Sequence, residues 1–270
     1  MEQGTGFRQT QFYLEAIKRE AKKALLKQAR WKDSKAVDME DISERFNHLN
    51  IWEMNKLKVF ISGQKYFGQE VLSLCMRMEN IEVVGVCSPI GDKYLTKLAA
   101  LHEIPIIPAG TLKHDVFPGG VDLGITAHSF DYIGKLTRYR PRLGWIGYHP
   151  SLLPRHRGRA SIEWAVRMKD PITGGTVFWL DAGIDRGPIA YQDFIFIDPK
   201  LYSMNPRQAA KKLWEDHLQS MGLILLERAL IDISCGVIRK KPQDARFSTF
   251  EPNTDISDIY RPDLLMLPGS

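Results

Sequence analysis

Two residues, His149 and Asp185, are the best placed in this chain to do chemistry together. His149 opens the run His149-Pro150-Ser151-Leu152-Leu153-Pro154-Arg155-His156-Arg157-Gly158, where two prolines stiffen the backbone around Ser151 and hold an imidazole in one orientation at small entropic cost. Thirty-six residues beyond His149, Asp181-Ala182-Gly183-Ile184-Asp185-Arg186-Gly187 brings two carboxylates into a glycine-bearing loop. An imidazole oriented by a carboxylate is an acid–base pair, able to move a proton during attack on a carbonyl carbon. A lone histidine after a strand is more often structural, so the pairing with Asp185 carries the reading. Gly63-Gln64-Lys65-Tyr66-Phe67-Gly68 is a weaker candidate: two glycines between a strand and a helix give neither a GxGxxG nor a GK[ST] order, and a plain turn is expected.

These residues need a scaffold, and the chain from Lys58 onward supplies one. Short apolar runs predict strands over Lys58–Ser62, Ile81–Cys87, Ile104–Ile107, Val121–Ala127, Leu143–Tyr148, Gly175–Leu180 and Ile189–Ile197. Between them, helical spacing predicts helices over Tyr66–Met78, Lys93–His102 and Arg159–Met168. Asn205-Pro206 starts a last helix, asparagine at the cap and proline at its first position, running to Ser234 and stopping at Gly236. A hairpin is expected through Ala245 to Phe250. Strands alternating with helices imply an α/β fold, a mostly parallel twisted sheet with helices on both faces in the Rossmann-like manner. His149 then sits at the carboxyl edge of the fifth strand, where open α/β sheets hold their ligands.

The first part of the chain differs. From Phe12 to Trp31 there is no glycine or proline, and Leu14, Ile17, Ala21, Ala24 and Leu25 recur on one helical face. Nine basic residues against three acidic ones between Arg8 and Lys35 make its polar face positive, suited to a solvated helix packed on the main domain or a partner subunit, to self-association, or to an anionic contact. A second short helix is expected over Asp38–Phe46. The division is therefore a helical extension over 1–56, a catalytic domain over 57–240 and a tail over 241–270.

Composition sets outer limits. With 44% hydrophobic and 26% charged residues the chain is an ordinary globular protein, and no apolar run approaches a membrane span of about 18 residues. A net charge of +5 suits anionic small molecules and is slight for a dedicated nucleic-acid binder. Cys75, Cys87 and Cys235 are odd in number and lack CxxC spacing, which points to a reducing, cytoplasmic home and to no metal site.

The strings quoted above resemble the 10-formyltetrahydrofolate-dependent formyltransferase family, whose hallmark is a histidine within HPSLLP followed about three dozen residues later by an aspartate in a D-x-G loop. The likeness covers about Lys58 to Lys240. His149-Pro150-Ser151-Leu152-Leu153-Pro154-Arg155-His156-Arg157-Gly158 with Ala160-Ser161-Ile162-Glu163-Trp164, and Phe178-Trp179 before the aspartate loop, are most similar to the hydrolase domain of 10-formyltetrahydrofolate dehydrogenase. Methionyl-tRNA and sugar-nucleotide formyltransferases are close behind. The resemblance implies His149 and Asp185 as the catalytic pair and 10-formyltetrahydrofolate as formyl donor. Its pterin would lie between Ala182-Gly183-Ile184 and the segment holding His128, Tyr132 and Ile133. Ser151, Arg155 and Arg157 would meet the acceptor or the glutamate tail of the folate.

The implied activity is formyl transfer to a small amine. Hydrolysis of the formyl folate and a structural or assembly subunit with weakened catalysis are the alternatives. Only 34 residues follow Gly236, so a tRNA acceptor, which the family holds with a further domain, is not expected. Most members read Asn-x-His where this chain has Gly147-Tyr148-His149, so the amide that donates to the oxyanion is missing. The sequence suggests water, His128 or Ser129 as substitute donors, and Gly147→Asn as a gain of activity.

Overall fold

A computed structural model of the protein describes residues 56–129 and 131–251. The chain divides between Met54 and Asn55, and every described residue belongs to the second unit. The helices expected over Phe12–Trp31 and Asp38–Phe46 lie outside the described residues.

The order is β1 (Leu57–Gly63), α1 (Lys65–Arg77), β2 (Ile81–Ser88), α2 (Leu95–Leu101), β3 (Ile106–Pro108), β4 (Leu123–Ala127), α3 (Lys135–Arg138), β5 (Trp145–His149), α4 (Ser161–Arg167), β6 (Ile172–Trp179), β7 (Ile189–Phe196), α5 (Pro206–Leu213) and α6 (Gln219–Ser234). The strands form one seven-stranded sheet in the order β3-β2-β1-β4-β5-β6-β7. Strands β1 to β5 pair in parallel, while β6 and β7 join antiparallel, so the sheet is mostly parallel.

Apolar residues on both sides of the central strands explain their uninterrupted hydrophobic runs. Val59, Ile61, Ile125 and Ile146 face one layer, packed by Val71, Leu72 and Cys75 of α1 and by Leu225, Leu226 and Leu230 of α6. Phe60 and Trp145 face the other, with Leu112, Phe117 and Ile133. Trp145 takes the room that Gly124 leaves on β4, and its indole N–H donates to the Thr137 carbonyl of α3 at 3.3 Å.

Several elements differ from expectation for local reasons. Strand β6 begins at Ile172 rather than Gly175, with Gly174 and Gly175 inside it. A Cβ on Gly175 would collide with the Tyr148 ring and one on Gly174 with the Asp193 backbone, so these glycines permit close approach and make no turn. The last helix carries a π-helical turn, Trp214–Leu218, between α5 and α6. Asn205 Oδ1 caps α5 by accepting from the Arg207 amide at 3.0 Å. Gly236, at φ +78°, ends α6, with Gly236 N–H donating to Ile233 O and Val237 N–H to Asp232 O, a glycine-terminated αL cap. The hairpin expected through Ala245 to Phe250 is absent. A 3-10 turn occupies Ala245–Phe247, and Phe250 instead forms a parallel bridge with Arg157, because the segment is drawn onto the loop after β5.

The two sheet edges are unlike. Strand β3 is three residues long and ends in Pro108. Strand β7 is eight residues long and leaves Phe194 and Phe196 exposed in edge-to-face contact.

Candidate active site

The geometry is set by β5. His149 is its last residue, at the carboxyl edge as expected, and its side chain is buried. Tyr148, pointing to the opposite face, anchors the strand: its hydroxyl donates to Leu218 O at 2.6 Å in the π-helical turn. On His149's own rung, Thr176 of β6 faces it in register and clamps the following loop. Thr176 Oγ1 donates to Ser151 O at 2.7 Å and accepts from the Leu153 amide at 3.2 Å. Gln192 of β7 adds a bond to Leu153 O at 2.9 Å.

His149 Nε2 lies 2.7 Å from the carbonyl oxygen of His156. A carbonyl can only accept, so Nε2 carries the proton and Nδ1 is the nitrogen that exchanges one. Nδ1 stands 3.6 Å from Asp185 Oδ2, within ion-pair range and a small movement away from a direct hydrogen bond. Asp185 Oδ2 also accepts from the Gly158 amide at 2.8 Å.

Asp185 reaches this position by a route that a fully parallel sheet would not require. Because β6 is antiparallel, its end at Trp179 pairs with Ile146, near the start of β5, and Leu180 N–H bonds to Trp145 O. The loop 181–187 must double back along the sheet to bring Asp185 to the carboxyl edge. Asp185 does so at φ +50°. Among the described residues six non-glycine residues have positive φ, and four of them, Lys65, His128, His156 and Asp185, stand around this edge. A left-handed backbone costs about 1–3 kcal/mol per residue and persists where surroundings over-determine it.

Gln243 is part of that surrounding structure, and no periodicity or motif in the sequence signals it. Its amide donates to the carbonyls of Asp185 and Gly187, both at 2.8 Å, while its oxygen accepts from Arg157 at 2.7 Å. Thr249 acts likewise on the other loop, its hydroxyl accepting from the His156 amide at 2.8 Å.

The basic cluster resolves into different tasks. Arg155 donates through Nη2 to both oxygens of Asp170, at 3.1 and 2.9 Å, while its side chain stays partly exposed. His156 is buried with Nε2 2.8 Å from Asp170 Oδ2 and Nδ1 3.1 Å from Glu251 Oε1. The Glu251 approach lies outside hydrogen-bond angles and is an ion-pair contact. Burial opposes a charge on His156, yet the bond to Asp170 and the proximity of Glu251 outweigh it and hold His156 above its ordinary value. For Asp170, burial acts upward, and the contacts from His156 and Arg155 still bring it below the usual carboxylate range. Arg157 is part-buried beside the Asp185 loop, with Arg186 near it.

Other expected site residues are dispersed. Ser151 is fully buried and its hydroxyl donates to Arg155 O at 2.7 Å, which shapes the loop. Ile133 is buried against Phe60 and Trp145, beneath the surface a ligand would touch. Tyr132 and Ile184 are exposed, and Asp181 Oδ1 fixes the intervening turn by accepting from Gly183 N at 2.8 Å, with Ala182 exposed beside it. His128 packs edge-on against Trp214, and burial followed by the charge of Lys65 pushes it down to about 4, leaving it neutral near pH 7.

Neither of the two side chains suggested by the sequence as substitute donors, His128 and Ser129, is the group nearest Gly147. Ser129 Oγ is 2.9 Å from Ser62 Oγ and accepts from the Asp131 amide. A Cβ on Gly147 would instead run into Thr126 Oγ1, so the place is already filled. In the Gly63–Gly68 turn, the Lys65 amide is taken by Asp92 Oδ2 at 2.7 Å, leaving a plain turn. Among the described residues no three His, Cys, Asp or Glu side chains gather as a metal site, and no helix is long and apolar enough to cross a membrane.

Residues 55–216 match the family model described as formyl transferase. The chain is 31% identical over 235 residues to the mitochondrial 10-formyltetrahydrofolate dehydrogenase of Mus musculus, covering 82% of this chain and 24% of that protein. It is 30% identical to the methionyl-tRNA formyltransferase of Synechococcus sp. (strain JA-3-3Ab), covering 73% of this chain and 64% of that one. The chain thus spans about a quarter of the length of the dehydrogenases it matches. Among solved structures, the N-formyltransferase from Helicobacter canadensis, in complex with folinic acid and dTDP-3-aminofucose, superposes with a TM-score of 0.59 at 18% identity, over 74% of this chain and 72% of that one, a likeness of fold.

Proposed function

We infer the activity from one premise: the chain belongs to the formyl transferase family. It transfers a formyl group from 10-formyltetrahydrofolate to a small amine. The observation that carries this reading is the approach of His149 Nδ1 to Asp185 Oδ2 while Nε2 is fixed by the His156 carbonyl. The amine nitrogen attacks the formyl carbon, and its carbonyl oxygen becomes an oxyanion. Nδ1–H of the imidazolium offers a hydrogen bond and then the proton that the departing folate nitrogen needs. Asp185 orients the ring and relays the proton lost by the amine, directly or through water.

The donor's ring lies against Ile184 and Tyr132, apolar side chains left exposed on the two flanking loops. Ala182 and Gly183 form the backbone of the first loop, and His128 and Ile133 support the second from below. Arg157 is the cluster member available to an anionic group of the folate or the acceptor. Because Asp92 occupies the Lys65 amide, the acceptor's binding does not depend on a phosphate cradle at the β1–α1 turn. The cysteines described, Cys75, Cys87 and Cys235, are all thiols, in keeping with a cytoplasmic setting.

Hydrolysis of the donor is the second reading, favoured by the coverage of this chain by dehydrogenase relatives. Incubation of the purified protein with 10-formyltetrahydrofolate, following tetrahydrofolate with and without candidate amines, separates the two. Amine-dependent release is expected. Release independent of amine selects hydrolysis, and no release in either case leaves a structural subunit. His149→Ala and Asp185→Asn are each expected to lower turnover by about 10²–10⁴-fold with the fold retained.

A further inference from the structure

The reading above leaves the oxyanion short of a donor on β5, and the neighbouring strand holds a candidate. Thr126 of β4 pairs in register with Gly147. Alternation along β5 puts positions 147 and 149 on one face, and Thr126, beside Gly147 in a parallel pair, presents its side chain to that face. The steric record makes this specific. A side chain built on Gly147 would meet Thr126 Oγ1 first, then Leu180 Cδ1 at 3.2 Å and Phe178 Cε1 at 3.6 Å. The hydroxyl therefore stands where an amide-bearing side chain from β5 would begin.

Its hydrogen bonding is also distinctive. Nearby hydroxyls are engaged by close partners: Ser62 and Ser129 with each other at 2.9 Å, Ser151 with Arg155 O at 2.7 Å and Thr176 with Ser151 O at 2.7 Å. Thr126 Oγ1 has Ile146 O at 3.5 Å, at the outer limit for a hydroxyl donor, and the residue is only half-buried. A hydroxyl so loosely held can turn its proton toward charge that develops beside it at little cost.

We propose that Thr126 is the oxyanion donor of this enzyme, supplied from β4 rather than from β5. The inference rests on the formyl-transfer reading. It requires no bond to Thr126: the O–H donates to the oxygen of the tetrahedral intermediate and retains its proton when the carbonyl re-forms.

The test uses the full chain with 10-formyltetrahydrofolate and the best amine found, wild type beside His149→Ala, Thr126→Val, Thr126→Ser, Thr126→Ala and the double change Thr126→Ala with Gly147→Asn. Thr126→Val preserves shape and removes the hydroxyl. It is expected to lower kcat by about 10–100-fold, with KM for the folate changed less than about twofold. Thr126→Ser should keep most of the rate, and the paired change should recover part of what Thr126→Ala alone loses, since removing the hydroxyl makes room for the amide. Melting temperatures of the variants separate a lost donor from a loosened sheet. An active wild type with Thr126→Val within about twofold of it overturns this assignment alone. A wild type as inert as His149→Ala overturns the formyl-transfer reading and this assignment with it.

Discussion

At the scale of single residues, Gly147 and His156 lead to opposite lessons. The sequence suggests that asparagine at 147 would restore a missing donor, but Thr126 Oγ1 already fills that space in a β-branched, stiff side chain. Gly147→Asn alone is therefore expected to lose about 1–3 kcal/mol of stability by overpacking and to gain no activity, which denaturant titration and the tetrahydrofolate assay would measure. His156 acts through its backbone on His149 and through its side chain on stability. Its raised value means that the stabilisation is fully present below the unfolded value of 6.5 and is lost as pH rises through the folded one. The lowered value of Asp170 contributes above 3.8 and is lost as pH falls through the folded value. The cluster should therefore stabilise most between about pH 4 and 6.5. Thermal denaturation across pH is expected to show wild type losing its advantage over His156→Gln on the alkaline side of 6.5, and an unchanged difference would contradict the charged cluster.

At the scale of elements, the sites depend on loops pinned by distant partners. Gln243 ties the Asp185 carbonyl to Arg157 across 58 residues of chain. Gln243→Ala is expected to lower kcat by about tenfold by letting Asp185 drift from His149, at a stability cost near 1 kcal/mol, and steady-state kinetics with circular dichroism would check both. Apolar runs were enough to find β1, β2, β4, β5 and β7 to within two residues, and Asn205-Pro206 and Gly236 bracketed the long helix, because those signals are local. The pairing of His149 with Asp185 was readable for the same reason, in the spacing of two motifs. The four residues of α3 carry no period, and the antiparallel sense of β6 is fixed only by what it packs against. Thr126, Gln243 and Thr249 were invisible as site residues for a like reason: each matters through a partner at least 20 positions away or on another strand.

At the scale of the whole molecule, the sheet separates two apolar layers, with the candidate site on the layer that holds Trp145 and Phe60, at the end where β5 stops. The heavier helical packing by α1 and α6 lies on the opposite layer, which leaves the site's side lined chiefly by loops. Such a division assigns rigidity to one face and adaptability to the other. The unlike borders of the sheet carry a further consequence. A growing filament needs two complementary borders, so that each added copy exposes a fresh one. Here the β3 border ends after three residues at a proline, which has no N–H to offer, whereas β7 is long and bears Phe194 and Phe196. Among the described residues only Lys241 pairs along the outer side of β7. For the described borders, strand-to-strand association would therefore limit itself: two copies meeting through β7 would consume both long borders and leave only the short, proline-ended ones outward.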